Sequence, residues 1–131
     1  MTHNNILFTG PPGCGKTTLI KKIVEQLLTP STGFITREIR EKGKRVGFTI
    51  NTLDGEEALL AHINVSGRYR VGRYRVVLES IDNIAVPSMI PKTENESVVV
   101  DEIGKMECLS SFFRKTVLDV LDMPNPDKPE P

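Results

Sequence analysis

Apolar residues in this chain fall into two kinds of pattern. Short unbroken runs stand at Ile6-Leu7-Phe8 and Val98-Val99-Val100, the signature of strands covered on both faces. The first predicts a strand from Asn5 to Thr9, closed by Gly10, and the second a strand ending in Asp101-Glu102. Leu19, Ile20, Ile23, Val24, Leu27 and Leu28 recur instead at helical spacing and predict a helix beginning near Lys16. That helix ends at Thr29-Pro30, because the residue before a proline avoids the helical region. Phe113, Val117, Val120 and Leu121 share a face in the same way, and Ser110 or Ser111 is placed to cap their helix.

Between these elements the pattern is β-like. Gly33 to Arg40 alternates, Glu41-Lys42-Gly43-Lys44 supplies a turn, and Arg45 to Thr52 returns, which predicts a hairpin. Asp54-Gly55 marks a further turn, and Glu56 to Gly67 carries only a weak signal. Tyr69 to Leu78 reads as one extended segment with a bulge or bend at Gly72. Ser80 reads as the cap of a short helix through Ile90, weakened by Pro87 and closed by Pro91, and residues 92–97 read as loop. After Met123 the tail PNPDKPEP places four prolines in eight residues and cannot pack as an element. Residues 1–123 are therefore expected to form one domain and 124–131 a disordered tail.

Composition changes this picture little. Apolar content of 38% and charged content of 26% suit a soluble globular chain. Seventeen basic residues balance seventeen acidic ones, so no global field attracts nucleic acid or an anionic membrane, and any phosphate recognition must be local. No signal peptide or membrane-length apolar stretch is present, which predicts a cytoplasmic location. Cys14 and Cys108 lie far apart without metal-ligand spacing and read as reduced thiols. His3 and His62 have no partner at useful spacing and read as surface residues.

The chemistry is concentrated at two places. GPPGCGKT, residues 10–17, fits the G-x-x-x-x-G-K-[ST] phosphate loop in full, between a predicted strand and a predicted helix. Its glycines let successive backbone N–H groups wrap an anion, and the helix N-terminus adds partial positive charge. Lys16 is expected on the β- and γ-phosphates and the Thr17 hydroxyl on Mg²⁺. VVVDE then sets two carboxylates at a strand end, where open α/β sheets bind ligands. Asp101 is expected to hold the same Mg²⁺ and Glu102 to accept a proton from an attacking water. A cation on the γ-phosphate would complete the site; Arg37, Arg40, Arg68, Arg70, Arg73 and Arg75 are candidates, Arg73 and Arg40 first. The RYRVGRYR cluster reads first as a solvated strand face and last as an RNA contact using Tyr69 and Tyr74 for stacking.

The blocks GPPGCGKTTLI, GFITREIREKGKRVGFTINTLDGEEALLA, RVGRYRV and VVVDEIGKMECLSSFF resemble the small nucleoside-triphosphatases called THEP-type in microbes and cancer-related nucleoside-triphosphatase in vertebrates. The resemblance covers residues 5 to about 122, and DEIGKME is more specific than a phosphate loop alone. It implies an α/β fold with a RecA-like parallel core and an inserted antiparallel hairpin, a Mg²⁺ cofactor, and hydrolysis of ATP, GTP and other nucleotides with loose base preference. Gly10, Pro11, Pro12, Gly13, Cys14, Gly15, Lys16 and Thr17 match its first nucleotide-binding segment. Val98, Val99, Val100, Asp101, Glu102, Ile103, Gly104 and Lys105 match its second, and Lys105 with Glu107 would line the γ-phosphate. A monomer that takes nucleoside triphosphates, with neither membrane nor nucleic acid as partner, is expected. Two rival readings are a nucleoside or nucleotide kinase with its second substrate under the hairpin region, and a nucleotide-binding regulatory module. In a RecA-like order, the strand after the acidic one separates it from the phosphate-loop strand. Because the family's later strands and helix have no counterpart here, a gap in the sheet and a poorly stable, poorly active chain are expected.

Overall fold

Three consecutive valines with no polar alternation require strands on both edges and cover on both faces, and the fold supplies both around Val98-Val99-Val100. The computed structural model describes residues 5–8, 30–93, 96–101 and 104–121. In chain order these form β1 (Asn5–Phe8), β2 (Ser31–Glu41), β3 (Lys44–Thr52), β4 (Glu57–His62), β5 (Arg70–Val71) and β6 (Tyr74–Val76). A helical segment follows, made of α1 (Leu78–Ser80), a π-turn (Ile81–Ala85) and α2 (Val86–Ser88). Then come β7 (Ser97–Asp101), a 3₁₀ turn (Glu107–Leu109) and α3 (Ser111–Leu121). The strands make one mixed sheet in the order β1-β7-β2-β3-β4-β6-β5.

β7 is flanked by β1 and β2, both parallel to it, with Phe8 opposite Asp101 and Phe34 opposite Val100. All three of its valines are 0% exposed. Val98 and Val100 point into the main core with Phe34, Ile50, Leu60, Ile81, Val86, Met89, Phe113, Val117 and Val120, while Val99 is buried on the opposite face. The expected gap beside the acidic strand is therefore corrected: β1 and β7 pair directly over four residues, so their facing backbone groups are bonded to each other.

From β2 onward the sheet turns antiparallel. β2 and β3 pair from Phe34↔Thr52 to Glu41↔Lys44. β4 lies on β3, although its sequence EALLAH has no strand alternation. The pairing explains the lost signal: a bulge between Phe48↔Ala61 and Thr49↔Leu59 skips Leu60, so adjacent residues Leu60 and Ala61 are both buried. The segment read as one strand from Tyr69 to Leu78 is instead a tight hairpin, β5 and β6, reversed at Gly72 with φ +60°.

The helices cover the core face. α3 buries Phe113, Val117 and Val120, and Phe113 meets Phe34 edge-on at 6.2 Å between ring centres. Ser110 is its cap, accepting from the Phe113 N–H at 3.0 Å, while its own hydroxyl donates to Asp82 on the π-turn. Ser80 is not a cap. Its helix begins at Leu78 behind Val77, and the ladder widens to a π-turn just before Pro87, which brings no N–H. Leu121 and residues 122–131, including the predicted tail, and the helix predicted from Lys16 lie outside the described side chains and residues.

Gly33 sits where β2 lies closest to β7. Its φ is +120°, and a Cβ there would stand 1.8 Å from the Val99 carbonyl oxygen. Gly43, at the hairpin turn, has φ +79° but open space around it. Gly33→Ala is therefore expected to cost about 3 kcal/mol or more, or to abolish cooperative unfolding, whereas Gly43→Ala should cost only about 1–2 kcal/mol of left-handed strain. Urea titration of the two variants distinguishes them; equal losses would show that the β2–β7 contact is not the tight one.

Candidate functional site

The site is set by strand direction before any side chain enters. β1 and β7 are parallel neighbours with Phe8 opposite Asp101, so both carboxyl ends open on one edge. The chain leaving Phe8 runs directly into GPPGCGKT, and β7 ends at the residue carrying the first carboxyl group. That edge is where an open α/β sheet binds ligands.

The predicted residues divide into those this edge places and those beyond the described set. Gly10 to Thr17, with Lys16, Glu102 and Ile103, lie outside the described residues. Asp101 closes β7. Val98, Val99 and Val100 have no exposed surface, so their side chains build the scaffold and do not touch a ligand from solvent. Gly104 is half-buried, and its carbonyl accepts from the Cys108 N–H at 3.1 Å, closing the turn after the strand. Lys105 is exposed in that turn, whereas Glu107 is 3% exposed. The donor chemistry fits Mg²⁺: a threonine hydroxyl at position 17 and a carboxylate at position 101 are both hard oxygen ligands.

Lys105 and Glu107 share a cavity of about 320 Å³ with Thr36, Arg45, Phe48, Leu60, Tyr74 and their neighbours. Nothing in the linear pattern marks this group, because it depends on the pairing of β2, β3, β4 and β6 and on the turn after β7. Phe48 and Tyr74 pack edge-on at 5.3 Å, and the Arg45 guanidinium lies 5.3 Å from the Phe48 ring centre and 5.9 Å from that of Tyr74. Arg45 Nε also donates to the Tyr74 hydroxyl at 3.1 Å.

The candidate arginines have local roles. Arg40 pairs with Glu38 at 3.3 Å and donates to the Gly43 carbonyl. Arg73 donates to the Arg45 carbonyl at 2.6 Å and lies over Tyr74, and Arg75 donates to the Gly67 carbonyl at 3.1 Å. Arg37, Arg68 and Arg70 are exposed. Tyr74 is only 8% exposed, which removes one of the two rings that RNA stacking would use. Burial pushes the Cys108 thiol up, Glu107 adds to this and Arg114 opposes it, so the group stays a thiol. His62 accepts from the Asn64 N–H, and among the described residues no cluster of His, Cys, Asp and Glu could hold a metal. Nor is any helix among them long and apolar enough to cross a membrane.

Comparison with known proteins shows what the whole chain resembles. A family model described as NTPase matches residues 5–127. The nucleoside-triphosphatase THEP1 of Thermotoga petrophila is 53% identical over 118 residues, covering 89% of this chain and 65% of that one. The mouse cancer-related nucleoside-triphosphatase homolog is 40% identical, with 92% and 70% covered. The chain thus spans about two thirds of the length of these relatives. The crystal structure of THEP1 from Aquifex aeolicus superposes with a TM-score of 0.78 at 36% identity, covering 92% of this chain and 72% of that one. The solution structure of a human cancer-related nucleoside triphosphatase gives 0.73 at 37%, covering 92% and 71%.

The cavity wall has an electrostatic signature of its own. Burial alone would raise the Tyr74 hydroxyl, but hydrogen bonds from Arg45 and Arg73, with their charge, outweigh it and hold the group below the usual 10.0. Because the folded state ionises first, stability is gained as pH rises through that interval and lost as it falls back. The chain has two tyrosines and no tryptophan, so Tyr69→Phe isolates Tyr74 for an ultraviolet absorbance titration. The midpoint should lie below 10.0 in the folded protein and rise on Arg45→Gln. A folded midpoint above 10.0 would mean that burial dominates.

Proposed function

The chain belongs to the NTPase family, and on that premise we propose that it is a Mg²⁺-dependent nucleoside-triphosphate phosphohydrolase of broad base specificity. The observation that carries this reading is the parallel pairing of β1 with β7, Phe8 beside Asp101. It supports a site in which a phosphate loop and an acidic strand end act on one polyphosphate.

The backbone N–H groups of residues 10–15 cradle the phosphates, and Lys16 neutralises charge on the β- and γ-groups. Held by Thr17 and Asp101, Mg²⁺ would supply electrostatic stabilisation of the charge that builds on the phosphoryl oxygens. A water oxygen bonds to the γ-phosphorus while the bond to the bridging β–γ oxygen breaks, leaving nucleoside diphosphate and phosphate. Glu102 takes the water's proton. Each contact is to phosphate or to water, so none depends on the identity of the base, which is the physical ground for broad specificity.

Glu102→Gln is expected to keep nucleotide binding and to lower phosphate release by about 10²-fold or more. Asp101→Asn should raise the Mg²⁺ concentration needed for half-maximal rate, and chelation should stop release in the unaltered chain. Release of phosphate from ATP, GTP, CTP and UTP, with and without Mg²⁺, is the direct assay. Undiminished release by Glu102→Gln would remove that residue from the mechanism.

A further inference from the structure

The cavity between the antiparallel strands and the turn after β7 has walls of unlike chemistry. Its volume of about 320 Å³ lies at the small end of ligand pockets, which run roughly 300–1,000 Å³, and suits one or two rings. Phe48, Leu60 and Val71 give it an apolar wall on the sheet, and Met106 adds to this from the turn. Phe48 and Met106 are good neighbours for a flat ring, since aromatic rings pack offset or edge-on and a thioether packs well at a ring edge. Gly72 also lines the space and leaves it open, with no atom within 4 Å of where a Cβ would stand.

Its charges are unequal and separated. Arg45 and Lys105 stand in the lining against a single carboxyl group, that of Glu107. Arg45 lies across the rings of Phe48 and Tyr74, and Arg73 reaches the Tyr74 hydroxyl from behind at 3.4 Å. Burial pushes that hydroxyl up, yet the hydrogen bonds and charge of Arg45 and Arg73 bring it below 10.0, so this wall favours negative charge. The charge of Glu107 is felt instead at the Cys108 thiol, which it helps to raise after burial. Lys105 is exposed and makes no ion pair among the described residues. An apolar slot with surplus positive charge complements a flat ring bearing one negative charge. We infer that this cavity binds a small aromatic carboxylate, its ring against Phe48 and Met106 and its carboxylate on the Lys105 ammonium. A neutral ring leaves the surplus charge unanswered, and a polyanion brings more charge than the lining offsets. The walls named here all belong to described residues, and no bound nucleotide is needed to form them.

Calorimetry on the full chain at low salt, without nucleotide, measures benzoate, naphthoate and indoleacetate beside the neutral amide of each. At least one acid should bind saturably and about tenfold more tightly than its amide, the difference made by one charge-assisted contact. In the same titration the backbone N–H signals of Gly72 and Met106 should shift, and that of Thr32, at the start of β2, should stay in place. Lys105→Gln changes an exposed side chain and should abolish the preference for acid over amide. Phe48→Leu, checked for cooperative melting, should weaken acid and amide alike, because it removes ring contact and no charge. The proposal is overturned if none of the acids binds, if the amides bind as tightly as the acids, or if the shifts fall outside the cavity. Displacement of the bound acid by ATP also overturns it, since the cavity would then belong to the nucleotide. A chain that binds an aromatic acid and releases no phosphate upholds this site and refutes the hydrolase reading.

Discussion

Everything in this molecule hangs on one strand with parallel neighbours on both sides. β7 can carry three valines in succession only because β1 and β2 take up its backbone groups on either edge and all three side chains are fully buried. Parallel pairing gives those edges a common polarity. The carboxyl ends of β1 and β7 and the continuation of β2 past Phe34 must then lie on the same side of the sheet. A relative shift of one residue would exchange the valines between faces and expose part of the core to solvent. The geometry of the edge is thus protected by the same burial that stabilises the domain. Gly33, pressed against Val99, shows how little slack this arrangement leaves.

The antiparallel half obeys a different constraint. Its strands outrun the helices: β2 extends to Glu41, well past its last contact with β7 at Phe34. α3 and the helical segment before β7 fill the core face around Phe34, Ile50 and Leu60. Beyond them the sheet must cover itself, and Arg45, Phe48 and Tyr74 do so by stacking a guanidinium on two rings. A layer built from large planar groups fills space less completely than interlocking aliphatic chains, and the cavity lies along its border with the turn after β7. The bulges in β2–β3 and β3–β4 belong to the same region, where added twist aims side chains inward.

The elements legible in the sequence were those whose pattern has a single physical reading. The valine run, the Gly33–Arg40 and Arg45–Thr52 alternation, and the α3 face with its serine cap are each produced by local geometry. β4 was not legible, because its bulge buries Leu60 and Ala61 side by side and erases the alternation that marks a strand. The β5–β6 hairpin was hidden because one glycine with positive φ can signal a bend as readily as a reversal. Direct pairing of β1 with β7 ran against the strand order that the family resemblance implied, since order is a property of the assembled sheet and not of any segment. The same holds for the site. A phosphate loop and an acidic strand end announce themselves as short motifs, but the cavity draws on β2, β3, β4, the β5–β6 hairpin and the turn after β7. No spacing rule connects Thr36 with Tyr74 or Glu107.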